Sequence, residues 1–238
     1  MAAADAQRLI VAIDTQDQGR AAALAAALAP HCGLFKFGLE FFAACGPAGV
    51  AGVVGRPLFL DLKLHDIPNT VAGAVSAMLP LQPRMLTLHA SGGPAMIEAA
   101  RRASEAAAAD RPLLLGVTVL TSLDAAALSA LGVAGGVEQQ VLRLARVALD
   151  SGADGLVCAA AEVPILRDAF GQRPVLVVPG IRPAGEPRGD QARAADPATA
   201  IAAGADWIVV GRPITAAPDP AVAAEEIARS IASASAPV

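Results

Sequence analysis

Four ionisable groups fall within six residues at Asp61-Leu-Lys63-Leu-His65-Asp66, inside the longer run Asp61-Leu-Lys-Leu-His-Asp66-Ile-Pro-Asn-Thr70. Two carboxylates around one ammonium favour its charged form, so Lys63 can serve as a proton donor near neutral pH. Composition points to the same place. Only Lys36 and Lys63 are lysines among 18 basic residues; the other 16 are arginines. A guanidinium makes a good surface charge or phosphate clamp but cannot release a proton near neutrality, whereas an ammonium can. The two lysines therefore mark positions where a transferable proton or a compact point charge matters. The plainer reading of Asp-x-Lys is an ion pair that satisfies itself, with Asp66 near a helix start because the helix dipole favours it there.

The elements that must position these groups alternate along the chain. Short apolar runs at 9–13, 33–37, 58–62, 85–89, 113–117, 155–157, 175–178 and 207–210 read as strands. Ala-rich stretches at 19–28, 68–78, 94–107, 137–150, 162–170, 197–203 and 220–234 read as helices. Eight strands with interleaved helices give a parallel sheet of βαβ units, and the expected fold is α/β, a (β/α)8 TIM barrel in a single domain over residues 1–238. Distinctive polar residues follow nearly every strand: Asp14, Lys36, Asp61 and Lys63, His89 and Ser91, Thr118 and Thr121, Arg182, Arg212. A barrel gathers such strand ends on one face, whereas an open sheet would spread them along an edge. The absence of Gly-x-Gly-x-x-Gly after the first strand also counts against a dinucleotide fold. Residues two apart on a strand point the same way, so Asp61 and Lys63 share the barrel mouth while Leu62 and Leu64 face outward. Pro68 fits the first turn of the helix that follows.

Composition narrows the alternatives. Apolar residues make up 55% and charged residues 17%, enough for a large core. No basic stretch resembles a nucleic-acid footprint, and six Phe, one Trp and no Tyr leave little for base stacking. Cys32, Cys45 and Cys158 are odd in number and lack CxxC spacing, so neither a disulfide framework nor a zinc site is indicated. No apolar run is long enough for a membrane span, and the N-terminus lacks a signal-peptide pattern. The expectation is a soluble cytoplasmic protein that meets neither nucleic acid nor membrane. Its length fits a chain that stands alone.

The run at 61–70 resembles the signature of the orotidine 5'-monophosphate (OMP) decarboxylase family. The resemblance continues in Ile-Asp14, Phe35-Lys36-Phe-Gly-Leu-Glu40, Thr118-Val-Leu-Thr-Ser122, Pro179-Gly-Ile-Arg182-Pro, Gly189-Asp-Gln191 and Val210-Gly-Arg212-Pro-Ile. It extends from about residue 9 to residue 215, in order. It implies metal-free and cofactor-free decarboxylation of OMP to UMP, the last step of de novo UMP synthesis, through a carbanion at C6. Lys63 would stabilise that carbanion and protonate it, with Asp61 against the departing carboxylate and Lys36 and Asp66 completing an alternating array. The resemblance further implies a homodimer in which Asp66, and with it Thr70, reaches the site from the neighbouring subunit. Asp14 and Lys36 would hold ribose hydroxyls, and Thr121, or alternatively Ser122, the pyrimidine edge.

The loops after strands seven and eight commonly bind phosphate in barrels, and here they read Pro-Gly180-Ile-Arg182 and Gly211-Arg212-Pro213. Gly211 lets backbone approach, Pro213 can open a short helix, and Arg212 offers a guanidinium fork. Segment 182–195 reads as a mobile lid, and Gln191 within it matches a family glutamine that reaches pyrimidine and phosphate. Other polar residues take plainer roles: His65 a supporting hydrogen bond, His89 and Ser91 a place on the barrel rim, Cys158 a small core position, Trp207 packing. Two rival functions remain. Magnesium-dependent sugar-phosphate decarboxylases and hexulose-phosphate synthases share the barrel and an Asp-x-Lys strand, but they need acidic metal ligands where this chain has Lys36. A noncatalytic nucleotide-phosphate sensor would keep Arg182 and Arg212 without needing the charged array.

Overall fold

Runs of Leu, Val, Ile and Phe four or five residues long can be strands only if both faces are covered, and here both are. In the computed structural model, which describes residues 7–53, 57–183 and 195–235, eight strands pair in parallel and in sequence order. They are β1 (Leu9–Ala12), β2 (Leu34–Gly38), β3 (Leu58–Leu64), β4 (Pro83–His89), β5 (Leu113–Val117), β6 (Gly155–Val157), β7 (Val175–Val178) and β8 (Trp207–Val210). β8 closes on β1, with Leu9 beside Ile208 and Val11 beside Val210. The expected (β/α)8 barrel is the observed one.

Alternation then makes two cores. Ile10, Ala12, Leu34, Phe59, Met85, Leu115, Val177 and Val209 fill the barrel, with Trp207 packed against them as anticipated. Leu9, Val11, Phe35, Phe37, Leu58, Leu60, Leu86, Leu88 and Val178 face outward and meet the helices. Those helices are α1 (Gln18–Leu28), α2 (Leu39–Ala51), α3 (Pro68–Met78), α4 (Pro94–Ser104), α5 (Ala125–Ala130), α6 (Val137–Asp150), α7 (Val163–Phe170), α8 (Pro197–Ala202), α9 (Arg212–Thr215) and α10 (Pro220–Ser235). Proline opens α3, α4 and α8, where the missing N–H costs nothing. Among the described residues, no helix is long and apolar enough to cross a membrane.

Several elements depart from the sequence expectation, among them α5, for which no helix was expected, and β4, which starts two residues early at Pro83. α2 is absent from the expected helices because Gly46-Pro47 interrupts its pattern; the chain kinks there, with Gly46 at a φ of 62°, and continues as helix. α4 stops at Ser104 rather than Ala107, since the chain tightens into 3-10 turns over Glu105–Asp110 with Ala108 at a φ of 50°. β3 runs two residues further than expected, to Leu64, and pairs irregularly with β4.

Where the strands begin, arginine–aspartate pairs tie the barrel shut. Asp154, just before β6, accepts both arms of the Arg111 fork at 2.7 Å and the backbone N–H of Leu114 at 2.9 Å. Asp206, just before β8, repeats the device, accepting from Arg167 and from the N–H of Leu176, each at 2.7 Å. Burial opposes the charge on Asp154, yet the Arg111 hydrogen bond and the Leu114 N–H hold its carboxyl below the usual range.

Candidate active site

At the opposite end the inward positions change character. β2 points Lys36 inward, buried, with its Nζ 3.4 Å from Asp14 Oδ1 and 3.4 Å from Asp61 Oδ2. β3 points Asp61 inward, then Lys63, whose Nζ donates to both carboxylate oxygens of Asp61 at 2.8 Å. The groups form a continuous row, Asp14–Lys36–Asp61–Lys63, that alternates in sign. Glycine at position 38 makes room for it: a Cβ there would stand 3.2 Å from Lys36 Nζ and 3.3 Å from Asp14 Oδ1.

Asp61 is the hinge of this row. Burial alone would raise its pKa, but Lys36 and Lys63, with hydrogen bonds from Lys63 and Thr87, hold it below the usual carboxylate value. Its side chain is 13% exposed and that of Lys63 is 28% exposed, so the ammonium is the more open of the pair. Lys63 is also one of three described non-glycine residues with positive φ, at 49°. A backbone held in that region costs on the order of 1–3 kcal/mol and persists only where surroundings enforce it.

These groups line one side of a cavity of about 570 Å³ at the barrel mouth. The other side is apolar, made of Val117, Val157, Val177 and Val209 from β5 to β8, with Phe59 in the floor. Beyond that wall stand Gly180 and Arg182 after β7 and Gly211 and Arg212 after β8. Gly180 takes a φ of 76°, in the left-handed region that favours glycine. Arg212 opens α9 and is exposed; Arg182 donates to the Ile181 carbonyl at 2.9 Å. The result is a pocket with a charged wall, an apolar wall and a cationic far end, suited to an anionic ligand with a flat apolar face.

Most of the anticipated residues converge here. Asp14, Lys36, Asp61, Lys63, Thr121, Arg182, Gly211 and Arg212 all line the cavity, as does Cys158, otherwise buried in the outer core. Thr121 lines it, whereas Ser122 is exposed outside. Asp66 and Thr70 are not brought to the cavity within one chain. Asp66 is exposed and accepts the N–H of Ile67 at 2.6 Å, and Thr70 is exposed in the first turn of α3. Beside them Ile67 is 67% exposed, and Leu39 of α2 is 60% exposed. Gln191 lies outside the described residues.

His65 is exposed, and its ring meets that of His89 at 5.3 Å, tilted by 41°. Burial, and after it the nearness of His65 and Lys63, pushes the His89 imidazole below its ordinary value. Ser91 is exposed in the turn after β4. Sequence reasoning missed Thr87, a fully buried hydroxyl on β4 within 3.0 Å of Asp61. Its inward parity, shared with Met85 and His89, was the available signal. It also missed Glu40, which lines the cavity from the start of α2. Among the described residues no group of three His, Cys, Asp or Glu side chains is placed to hold a metal ion.

Residues 7–227 match the sequence model of a family described as Orotidine 5'-phosphate decarboxylase / HUMPS family. An orotidine 5'-phosphate decarboxylase of Anaeromyxobacter dehalogenans is 54% identical over 227 residues, covering 94% of this chain and 98% of that protein. One of Gluconobacter oxydans is 54% identical over 231 residues, covering 95% and 98%. The crystal structure of orotidine 5'-phosphate decarboxylase from Lactobacillus acidophilus superposes with a TM-score of 0.83 at 37% identity, covering 94% of this chain and 98% of that one.

Proposed function

The chain belongs to the orotidine 5'-phosphate decarboxylase / HUMPS family, and from that premise we propose how it removes the 6-carboxylate of OMP to give UMP in pyrimidine biosynthesis. The observation that carries the mechanism is the placement of Asp61 between the Lys36 and Lys63 ammoniums at the cavity wall. The phosphate lies at the cationic end, held by the Arg212 fork with Arg182 and the backbone at Gly211. Ribose hydroxyls meet Asp14 and Lys36, and Thr121 meets the pyrimidine edge. The flat face of the base lies against the valine wall.

In that pose the substrate carboxylate is directed at Asp61, which the two lysines keep ionised. The C6–carboxylate bond breaks, CO2 departs, and the bonding pair remains on C6. Lys63 stands where that charge develops and stabilises it through a preorganised ammonium. It then gives one Nζ proton to form the C6–H bond and regains a proton from water. Stabilisation of the carbanion, rather than stress on the substrate carboxylate, is the part supported by this geometry.

Asp66 and Thr70 act in a second copy of the chain. They are exposed and flank the exposed apolar Ile67, a surface suited to a homodimer. Sedimentation at dimer mass with turnover lost in Asp66→Ala is expected; a fully active monomer overturns this assignment.

The rival reading is a magnesium-dependent sugar-phosphate decarboxylase on the same barrel, and the donor set separates the two. A magnesium ion is held by one or two carboxylates with waters and substrate oxygens, whereas here the buried carboxylate Asp61 is already taken by the Lys36 and Lys63 ammoniums. The test is the ultraviolet absorbance change as OMP loses its carboxyl, read with and without EDTA. Conversion that EDTA leaves intact is expected. Dependence on Mg²⁺, or turnover of a sugar phosphate instead, overturns the proposal.

A further inference from the structure

We propose that Thr87 is a positioning residue for the decarboxylation, its hydroxyl fixing Asp61 and Lys63 relative to one another across an irregularity in the sheet. This rests on the role proposed above for Lys63. β3 and β4 pair at Leu60 with Leu86 and again at Leu64 with Leu88. Three residues of β3, Asp61 to Lys63, therefore stand opposite the single residue Thr87. Two extra residues preserve the inward and outward alternation on both sides but leave Asp61 to Lys63 without ladder partners on β4.

Thr87 fills that gap with its side chain. The backbone N–H of Lys63 donates to Thr87 Oγ1 at 2.9 Å, and Oγ1 donates its one proton to Asp61 Oδ1 at 3.0 Å. The same Oδ1 accepts from Lys63 Nζ at 2.8 Å. The hydroxyl thus ties the backbone of the proposed acid to the carboxylate that holds its side chain. The direction of each bond is fixed, because the N–H can only donate and the ionised carboxylate can only accept. Thr87 is 0% exposed and does not line the cavity, so it acts through its two partners. It also supplies the local anchor for the left-handed backbone at Lys63.

The test pairs Thr87→Val, which keeps the shape and removes the hydroxyl, with Thr87→Ser, which keeps the hydroxyl. Thr87→Val should lower kcat by roughly ten- to a hundredfold with KM changed less than about twofold, since the substrate's phosphate and ribose contacts are untouched. Thr87→Ser should restore most of kcat. The hydroxyl is among the groups that keep Asp61 ionised, so the acid limb of the rate profile should move to higher pH in the valine variant and stay in place in the serine variant. Near-normal kcat in folded Thr87→Val, or equal losses in both variants, overturns the inference. If the valine variant does not fold, Thr87→Cys, a much weaker donor of similar size, takes its place; full activity in it also overturns the inference. Lys63→Ala measured alongside separates the two proposals: if it remains active, the role of Lys63 falls, whatever Thr87 does.

Discussion

The two ends of this barrel solve the same electrostatic problem with different cations. Where the strands begin, Asp154 takes Arg111 at 2.7 Å and Arg101 at 3.3 Å, Asp206 takes Arg167 at 2.7 Å, and each accepts a backbone N–H from the preceding strand at 2.7–2.9 Å. Where the strands end, Asp61 is shared by Lys36 and Lys63. The arginine pairs are bidentate or doubly anchored, they carry permanent charge, and they join neighbouring strands. The lysine row is open on one side to the cavity and holds its middle carboxylate between two compact charges. A guanidinium is suited to closing a structure because it cannot change state, and an ammonium to chemistry because it can. The arginine bias of the chain reflects no such choice at most positions, but at these two ends the division of labour follows the chemistry.

Exchanging the cation at the working end breaks this comparison most sharply. Lys63→Arg preserves charge but not the transferable proton, and turnover should fall by at least about a thousandfold. The melting temperature should stay within a few degrees of the parent. Steady-state rates with OMP, together with a thermal melt, check both halves; near-normal activity would remove Lys63 as the acid.

Arg212→Ala is next in size. It should reduce kcat/KM by roughly ten- to a hundredfold, as expected for losing a charge-assisted fork on a dianion. The same variant should lose much of the preference for OMP over its phosphate-free nucleoside. An unchanged preference would place the phosphate elsewhere.

At the structural end the expected signature is reversed. Asp154→Ala leaves the Arg111 guanidinium and the Leu114 N–H without their carboxylate, at a cost of about 2–3 kcal/mol. For a chain of this size the melting temperature should drop by roughly 5–10 °C. kcat for OMP should remain at the parent level, since no cavity residue is touched. A kcat that fell with stability would mean that the two ends are coupled.

The smallest effect is one of pH. Asp154 has a folded pKa depressed below its unfolded value of about 3.9. The folded chain therefore binds fewer protons than the unfolded one as the medium is acidified. The pair contributes fully above that unfolded value, and its contribution is lost as pH falls through the depressed folded value. The stability gap between the parent and Asp154→Ala, measured by denaturant titration, should be constant from pH 8 to pH 5 and narrow below about pH 4. A gap that widened on acidification would contradict the ion-pair account.

Much of the barrel and its site was legible because both depend on side-chain parity and order along the chain. Alternating strands and helices gave the parallel barrel, and polar residues directly after strands gave the mouth. Asp61 and Lys63 were assigned to one face by their spacing, and they share it, although β3 reaches that result through an irregular stretch with Lys63 at positive φ. The parity survived because two residues, rather than one, are inserted. α2 escaped detection because a glycine–proline pair reads as an end, and only packing against β2 and β3 carries the helix through its kink.

By itself, then, the sequence determined the succession of strands and helices, the shared face of Asp61 and Lys63 and the two places where lysine replaces arginine. These are local or periodic properties, and one chain states them in full. The tertiary structure decided which inward groups touch: that Asp14 extends the row beyond Lys36, that Gly38 clears space for it, and that Thr87 stands opposite the irregular stretch of β3. A threonine in a strand is ordinary for its β-propensity, and inward parity on Pro83–His89 marks a candidate without distinguishing its hydroxyl from packing. Register between two strands far apart in sequence fixes that distinction, and register exists only once the barrel has closed.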